Sequence, residues 1–85
     1  MPELSRFLGI VIAMFYRDHA PPHFHAYFGD FEVIVEIDSG RVTGRFPTRS
    51  LAAVQRWRLR NRGALLENWQ RAQARMPLQG IDPLE

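Results

Sequence analysis

All three histidines of the chain fall within seven consecutive positions, inside Asp18-His19-Ala20-Pro21-Pro22-His23-Phe24-His25-Ala26. Imidazole is the commonest metal ligand and also titrates near neutral pH, so this stretch is where chemistry is to be sought. On a strand, His23 and His25 leave the same face, because side chains alternate. His19 can return to them if Pro21-Pro22 turns the chain at the sheet end. Three imidazoles with an open position form the ligand set of catalytic zinc sites and also suit iron or nickel. His19, His23 and His25 are therefore a candidate site for a divalent metal such as zinc. Asp18 and Glu36 are oxygen donors within reach.

The same residues admit two other readings. In one, His23 and His25 are acid–base groups and Glu36 orients His23, with Tyr27 or Arg45 on a phosphate during phosphodiester cleavage. No serine or cysteine nucleophile accompanies them. In the other, the histidines bond to Glu36, Asp18 or loop backbone and only order the connection.

Arginine marks a second region. Residues 41–62 carry seven arginines and no acid, whereas residues 1–40 carry two arginines against six acids. Every cation is arginine, which suits bidentate contact with phosphate. Arg45, Arg49, Arg56 and Arg60 are candidate phosphate contacts, as are Arg41, Arg58 and Arg62, and nucleic acid is a candidate partner. The bland alternative is a solvated helix face that balances the acidic strands.

These groups need a scaffold, and 85 residues with 46% hydrophobic composition supply one small core, read as a single domain over 1–85. Without cysteine there are no disulfides or thiolate metal sites, which fits a reducing cytoplasm. The start, Met1-Pro2-Glu3-Leu4, lacks the cationic lead of a signal peptide. The apolar run Ile10–Phe15 is far short of the ~20 residues that cross a bilayer. The reading is a cytoplasmic protein with no membrane role.

Residues 1–8 read as a lead-in. Gly9–Tyr16, apolar at consecutive positions, predicts a central strand. Strands follow over 23–28, 31–38 and 41–46, separated by two-residue turns at Gly29-Asp30 and Ser39-Gly40. The first turn sets Phe28 opposite Phe31, Ala26 opposite Val33 and Phe24 opposite Val35. The second sets Ile37 opposite Val42 and Val35 opposite Gly44. Phe24, Ala26, Phe28, Phe31, Val33, Val35, Ile37, Val42 and Phe46 then form the core face. On the other face His23 lies opposite Glu36, Tyr27 opposite Glu32, and Asp38 opposite Arg41.

Thr48 is the expected N-cap of a helix over 49–60, with Leu51, Val54 and Trp57 inward. A second helix over 63–76 has Leu65, Leu66, Trp69, Ala72 and Met76 on one stripe and a Glu67–Arg71 pair outside. Residues 77–85 are expected to be a loosely held tail. The fold is thus α+β: an antiparallel meander of three to four strands with a C-terminal helix pair on one face.

Gly9-Ile10-Val11-Ile12, the Asp18–Ala26 signature and Leu65-Leu66-Glu67-Asn68-Trp69 together resemble a family of short bacterial proteins of unknown function. The likeness spans Pro2 to Pro83. It implies a bacterial source and, through gene neighbourhood, a small partner protein in a toxin–antitoxin-like pair. Residues 49–62 depart from it in being richer in arginine. The functional expectation is a small binding or regulatory module with a histidine-centred site. The alternative is a small metal-dependent or nuclease-like hydrolase, and whether the chain is an enzyme stays open. The polar sheet face and free edges also allow a homodimer.

Overall fold

The hairpin that carries two of the histidines forms as its pattern dictates. In a computed structural model describing residues 2–84, strands His23–Phe28 and Phe31–Glu36 pair antiparallel. Met1 and Glu85, the ends of the expected 1–85 unit and of its tail, lie outside the described residues. Phe28 faces Phe31, Ala26 faces Val33, Phe24 faces Val35, and His23 faces Glu36. Gly29 takes the positive φ of 57° that its turn requires. Slippage by one residue would expose Phe24, Val33 and Val35, all buried.

The sheet has five strands rather than three to four, in the order β1 (Glu3–Phe7), β2 (Ile10–Ala13), β3 (His23–Phe28), β4 (Phe31–Glu36) and β5 (Val42–Arg45). The expected lead-in is thus mostly a strand. It joins β2 through Leu8 and Gly9, both at positive φ (51° and 75°), the geometry that matches hairpin twist. Its pattern was hidden by a register irregularity between Glu3 and Ser5, which puts Leu4 and Ser5 inside at adjacent positions. β2 is also shorter than the 9–16 expected, though Met14 beyond it remains buried.

The β4–β5 turn is longer than Ser39-Gly40. The Glu36 amide donates to the Arg41 carbonyl at 2.9 Å, and the four residues Ile37–Gly40 lie within the loop. Val42 therefore faces Val35 and Gly44 faces Val33, a shift of two residues from the expected pairs. A two-residue shift preserves the faces, so the core alternation could not detect it. Ile37 drives it: its side chain is fully buried and its amide donates to the Pro22 carbonyl at 3.0 Å, outside the β4–β5 ladder. Asp38 accordingly pairs with Arg62, not with Arg41. Phe31, expected in the core, is 45% exposed at the hairpin end.

Helix α1 (Thr48–Arg60) starts from Pro47 as N-cap, without the side-chain bond expected of Thr48. It sets Trp57 against Phe7 and Phe24, with ring centroids 5.5 and 5.7 Å apart. Arg58 is buried rather than available to phosphate. It donates from Nη1 to the Ile37 carbonyl (2.9 Å) and from Nε to Gln55 Oε1 (2.8 Å), fastening α1 to the β4–β5 loop. Helix α2 (Arg62–Gln73) buries Leu65, Asn68, Trp69 and Ala72. It ends before 76, because Arg75 turns to φ 60°, and Met76 lies outside it, 46% exposed. Among the described residues, no helix is long and apolar enough to cross a membrane.

The tail is tied down, not loose. Asn68 exchanges two 2.8 Å bonds with the Gln79 backbone, the Ile81 amide donates to the Leu4 carbonyl, and Trp57 Nε1 donates to the Asp82 carbonyl. Ile81 is buried against the core.

A candidate metal centre

β3 presents His23 and His25 from the face opposite Phe24. The chain reaches β3 through Arg17, at φ 57°, and a cis Ala20–Pro21 peptide. Helix α2 holds this loop from its C-terminal end. The Arg17 amide donates to the Ala72 carbonyl (3.4 Å), and Gln73 Nε2 donates to the Asp18 carbonyl (2.9 Å). Trp69 packs on His23 at 5.1 Å, so α2 reaches the sheet end where β3 begins. Asp18 is thereby placed over the two histidines.

Asp18 Oδ2 lies 2.9 Å from His23 Nε2 and 3.6 Å from His25 Nε2. One atom from each of Asp18, His23 and His25 lies within 4.8 Å of the others. The far sides of both rings are also engaged. His23 Nδ1 is 2.8 Å from the Pro21 carbonyl, which can only accept, so Nδ1–H donates. His25 Nδ1 is 3.3 Å from Glu32 Oε2. Phe15 packs edge-on against His25 at 4.6 Å, and Tyr27 stacks on it at 6.3 Å. His25 Nε2 is buried and makes no hydrogen bond.

Partial burial pushes the Asp18 carboxyl up. Hydrogen bonds from His23 and the His19 amide and the charge of His23 outweigh it, with the His25 ring 3.6 Å away adding to the effect, holding Asp18 below its ordinary value. Burial raises the Tyr27 phenol, and the neighbouring Glu32 charge and hydrogen bond add to the rise, so Tyr27 stays a donor at neutral pH.

His19 takes a different position from the other two. Its side chain is 97% exposed at the rim, with Nδ1 3.8 Å from Asp18 Oδ1. Glu36 is opposite His23 in register but accepts from Ser39 Oγ at 2.8 Å; the carboxylate on His23 is Asp18. Glu32, absent from the expected site, was legible only as the diagonal neighbour of His25 across the β3–β4 pair.

The arginines are dispersed. Arg45 is exposed on the edge strand β5, and Arg60 at the end of α1. Arg49 and Arg56 flank an apolar hollow of about 340 Å³ lined by Leu8, Ile10 and Phe28. None of these four is brought to the histidines. Arg41 is: with Thr43, Glu36 and His19, it lines the open depression of about 260 Å³ over Asp18, His23 and His25.

Fold and site together define a small α+β domain built on a five-stranded meander, with a two-histidine, one-carboxylate group at the sheet end. Residues 9–70 match the domain of unknown function DUF4160, and the chain belongs to that family. No curated protein and no solved structure gives a significant match to it.

Proposed function

We propose that the protein binds a divalent transition metal through Asp18 Oδ2, His23 Nε2 and His25 Nε2. The observation that carries this reading is the ring orientation. Both Nε2 atoms turn toward one carboxylate oxygen, while both Nδ1 atoms are held by Pro21 and Glu32. Metal-bound imidazoles are held in this way, with the far N–H on a carbonyl or carboxylate that fixes the tautomer. Ligand atoms around a tetrahedral or octahedral ion at about 2.1 Å are about 3.0–3.4 Å apart. The spacings of 2.9 and 3.6 Å bracket that range. Two imidazoles and one carboxylate leave coordination positions for a small ligand, as in open zinc sites and non-haem iron sites. His19, at the rim, stays outside the ligand set.

Metal-free acid–base chemistry at His23 has less support. Its ring donates to the Pro21 carbonyl and faces the Asp18 carboxylate, leaving no lone pair for a substrate proton. A metal-dependent hydrolase remains the second reading, favoured by the open depression beside the group.

Calorimetric titration with zinc and nickel tests the proposal. One ion per chain is expected to bind, with affinity rising with pH as ligand protons are displaced. His25→Gln should abolish or strongly weaken it, Glu32→Gln should weaken it about tenfold, and His19→Gln should leave it unchanged. Absence of binding, or equal losses for His19→Gln and His25→Gln, would falsify this ligand set.

A further inference from the structure

We infer that the depression over Asp18, His23 and His25 takes a small oxyanion, a phosphate or carboxylate group, held between the metal ion and the Arg41 side chain. This rests on the metal reading above and adds the class of ligand that completes the site.

Arg41 is the cation that the fold leaves beside the group. Asp38, the acid expected across from it, pairs with Arg62. Glu36, its actual neighbour across the β4–β5 turn, accepts from Ser39 and forms no ion pair with it among the described residues. The Arg41 backbone is fixed, since its amide donates to Ser39 Oγ at 3.1 Å and its carbonyl accepts from Glu36. Arg41 thus lines the wall from a fixed backbone position, and its guanidinium makes no ion pair among the described residues. Thr43 lies two residues on, opposite Ile34, which is itself opposite His25, so it adds a hydroxyl on the same row.

Strands β3 and β5 are two inter-strand spacings apart, about 10 Å, and β4 presents only Ile34 and Glu36 between them in this depression. A long arginine side chain shortens that gap to one an oxyanion can span. One oxygen coordinates the metal and another takes the planar donor fork, the geometry in which arginine binds phosphate and carboxylate best.

Charge makes the binding conditional on metal. Asp18 and Glu36 set two negative charges against Arg41 around the metal-free depression. A divalent ion reverses that sign, and a bound ion is the largest local charge in such a site.

The test uses the full chain loaded with cobalt(II), whose visible bands report changes in coordination. Inorganic phosphate and, separately, acetate are titrated into the loaded protein and into the metal-free protein. The bands are expected to shift and saturate with at least one of them, the stronger binder showing which oxyanion the site prefers, and the metal-free protein should bind neither. Arg41→Gln should weaken anion binding about tenfold or more with cobalt affinity unchanged, and Thr43→Val should weaken it less. Bands that ignore both anions, or an Arg41→Gln protein that binds them like the wild type, overturn the inference while leaving the metal reading intact. Equally tight binding by the metal-free protein also overturns it. Failure to load cobalt removes both.

Discussion

Asp18 accepts from two donors that differ in kind, the His19 amide and the His23 ring, and lies 3.6 Å from the His25 ring. Its folded carboxyl titrates below its unfolded value. The stabilisation is therefore present above about pH 4 and is lost as pH falls through the depressed folded value. Urea denaturation from about pH 6 down to about pH 2 should show this loss in the wild type. Asp18→Asn should be less stable at neutral pH and lose less stability on acidification. If the two proteins show parallel acid limbs, the Asp18 contacts do not contribute.

Between elements, the β4–β5 pair depends on backbone space and the α1 anchor on a buried guanidinium. Gly44 sits at φ 110°, and a Cβ there would lie 2.6 Å from the Glu32 carbonyl oxygen. Gly44→Ala should cost about 1–3 kcal/mol, read as a lower urea midpoint. Gly63 is the control: it has ordinary helical φ on α2 and nothing within 4 Å of its missing Cβ. Gly63→Ala should stabilise by up to about 1 kcal/mol through reduced unfolded-state freedom. At Arg58 the cost has another origin. Arg58→Met keeps the aliphatic stem but removes the donor to the Ile37 carbonyl. A loss of about 1–3 kcal/mol is expected from that unsatisfied acceptor. A chemical-denaturation midpoint equal to wild type would show that water replaces the guanidinium.

At the scale of the whole molecule, the C-terminal residues are structural. Ending the chain at Pro77 removes the Asn68–Gln79 exchange, the Trp57–Asp82 bond and the buried Ile81. Burial of one large aliphatic side chain is worth about 1.5–3 kcal/mol and each net hydrogen bond about 1 kcal/mol. For a domain of this size that is a large share of total stability. The truncated protein should melt well below the wild type, with a red-shifted Trp57 emission as its indole loses the Asp82 carbonyl and becomes open to water. Unchanged melting and emission would mean the tail is as dispensable as its Gly80 and Pro83 imply.

Local pattern was enough wherever one short-range cause decides. Gly29-Asp30 closes a two-residue turn, and the alternation Phe24-Ala26 against Val33-Val35 permits one register, so β3–β4 and the shared face of His23 and His25 were legible in the sequence. The inward positions of Val54, Trp57, Leu65, Trp69 and Ala72 followed from helical period alone. β1 was not legible, because its irregularity breaks the alternation, and the β4–β5 turn was not, because a two-residue shift leaves every face unchanged. The order of the tail is not legible either, because its anchors are side chains 11 and 25 residues away.

The site divides along the same line. Sequence by itself determined that two imidazoles leave one face of β3, since that needs only the two-residue repeat of a strand. Tertiary structure decided which carboxylate meets them. Asp18, not Glu36, lies over both rings because α2, more than fifty residues along the chain, holds the loop through Ala72 and Gln73. It also decided that Arg41, one of the seven arginines of residues 41–62, lines the depression, because the buried Ile37 shifts the turn and Arg62 takes Asp38. Such choices rest on contacts between distant segments, and short-range spacing carries no record of them.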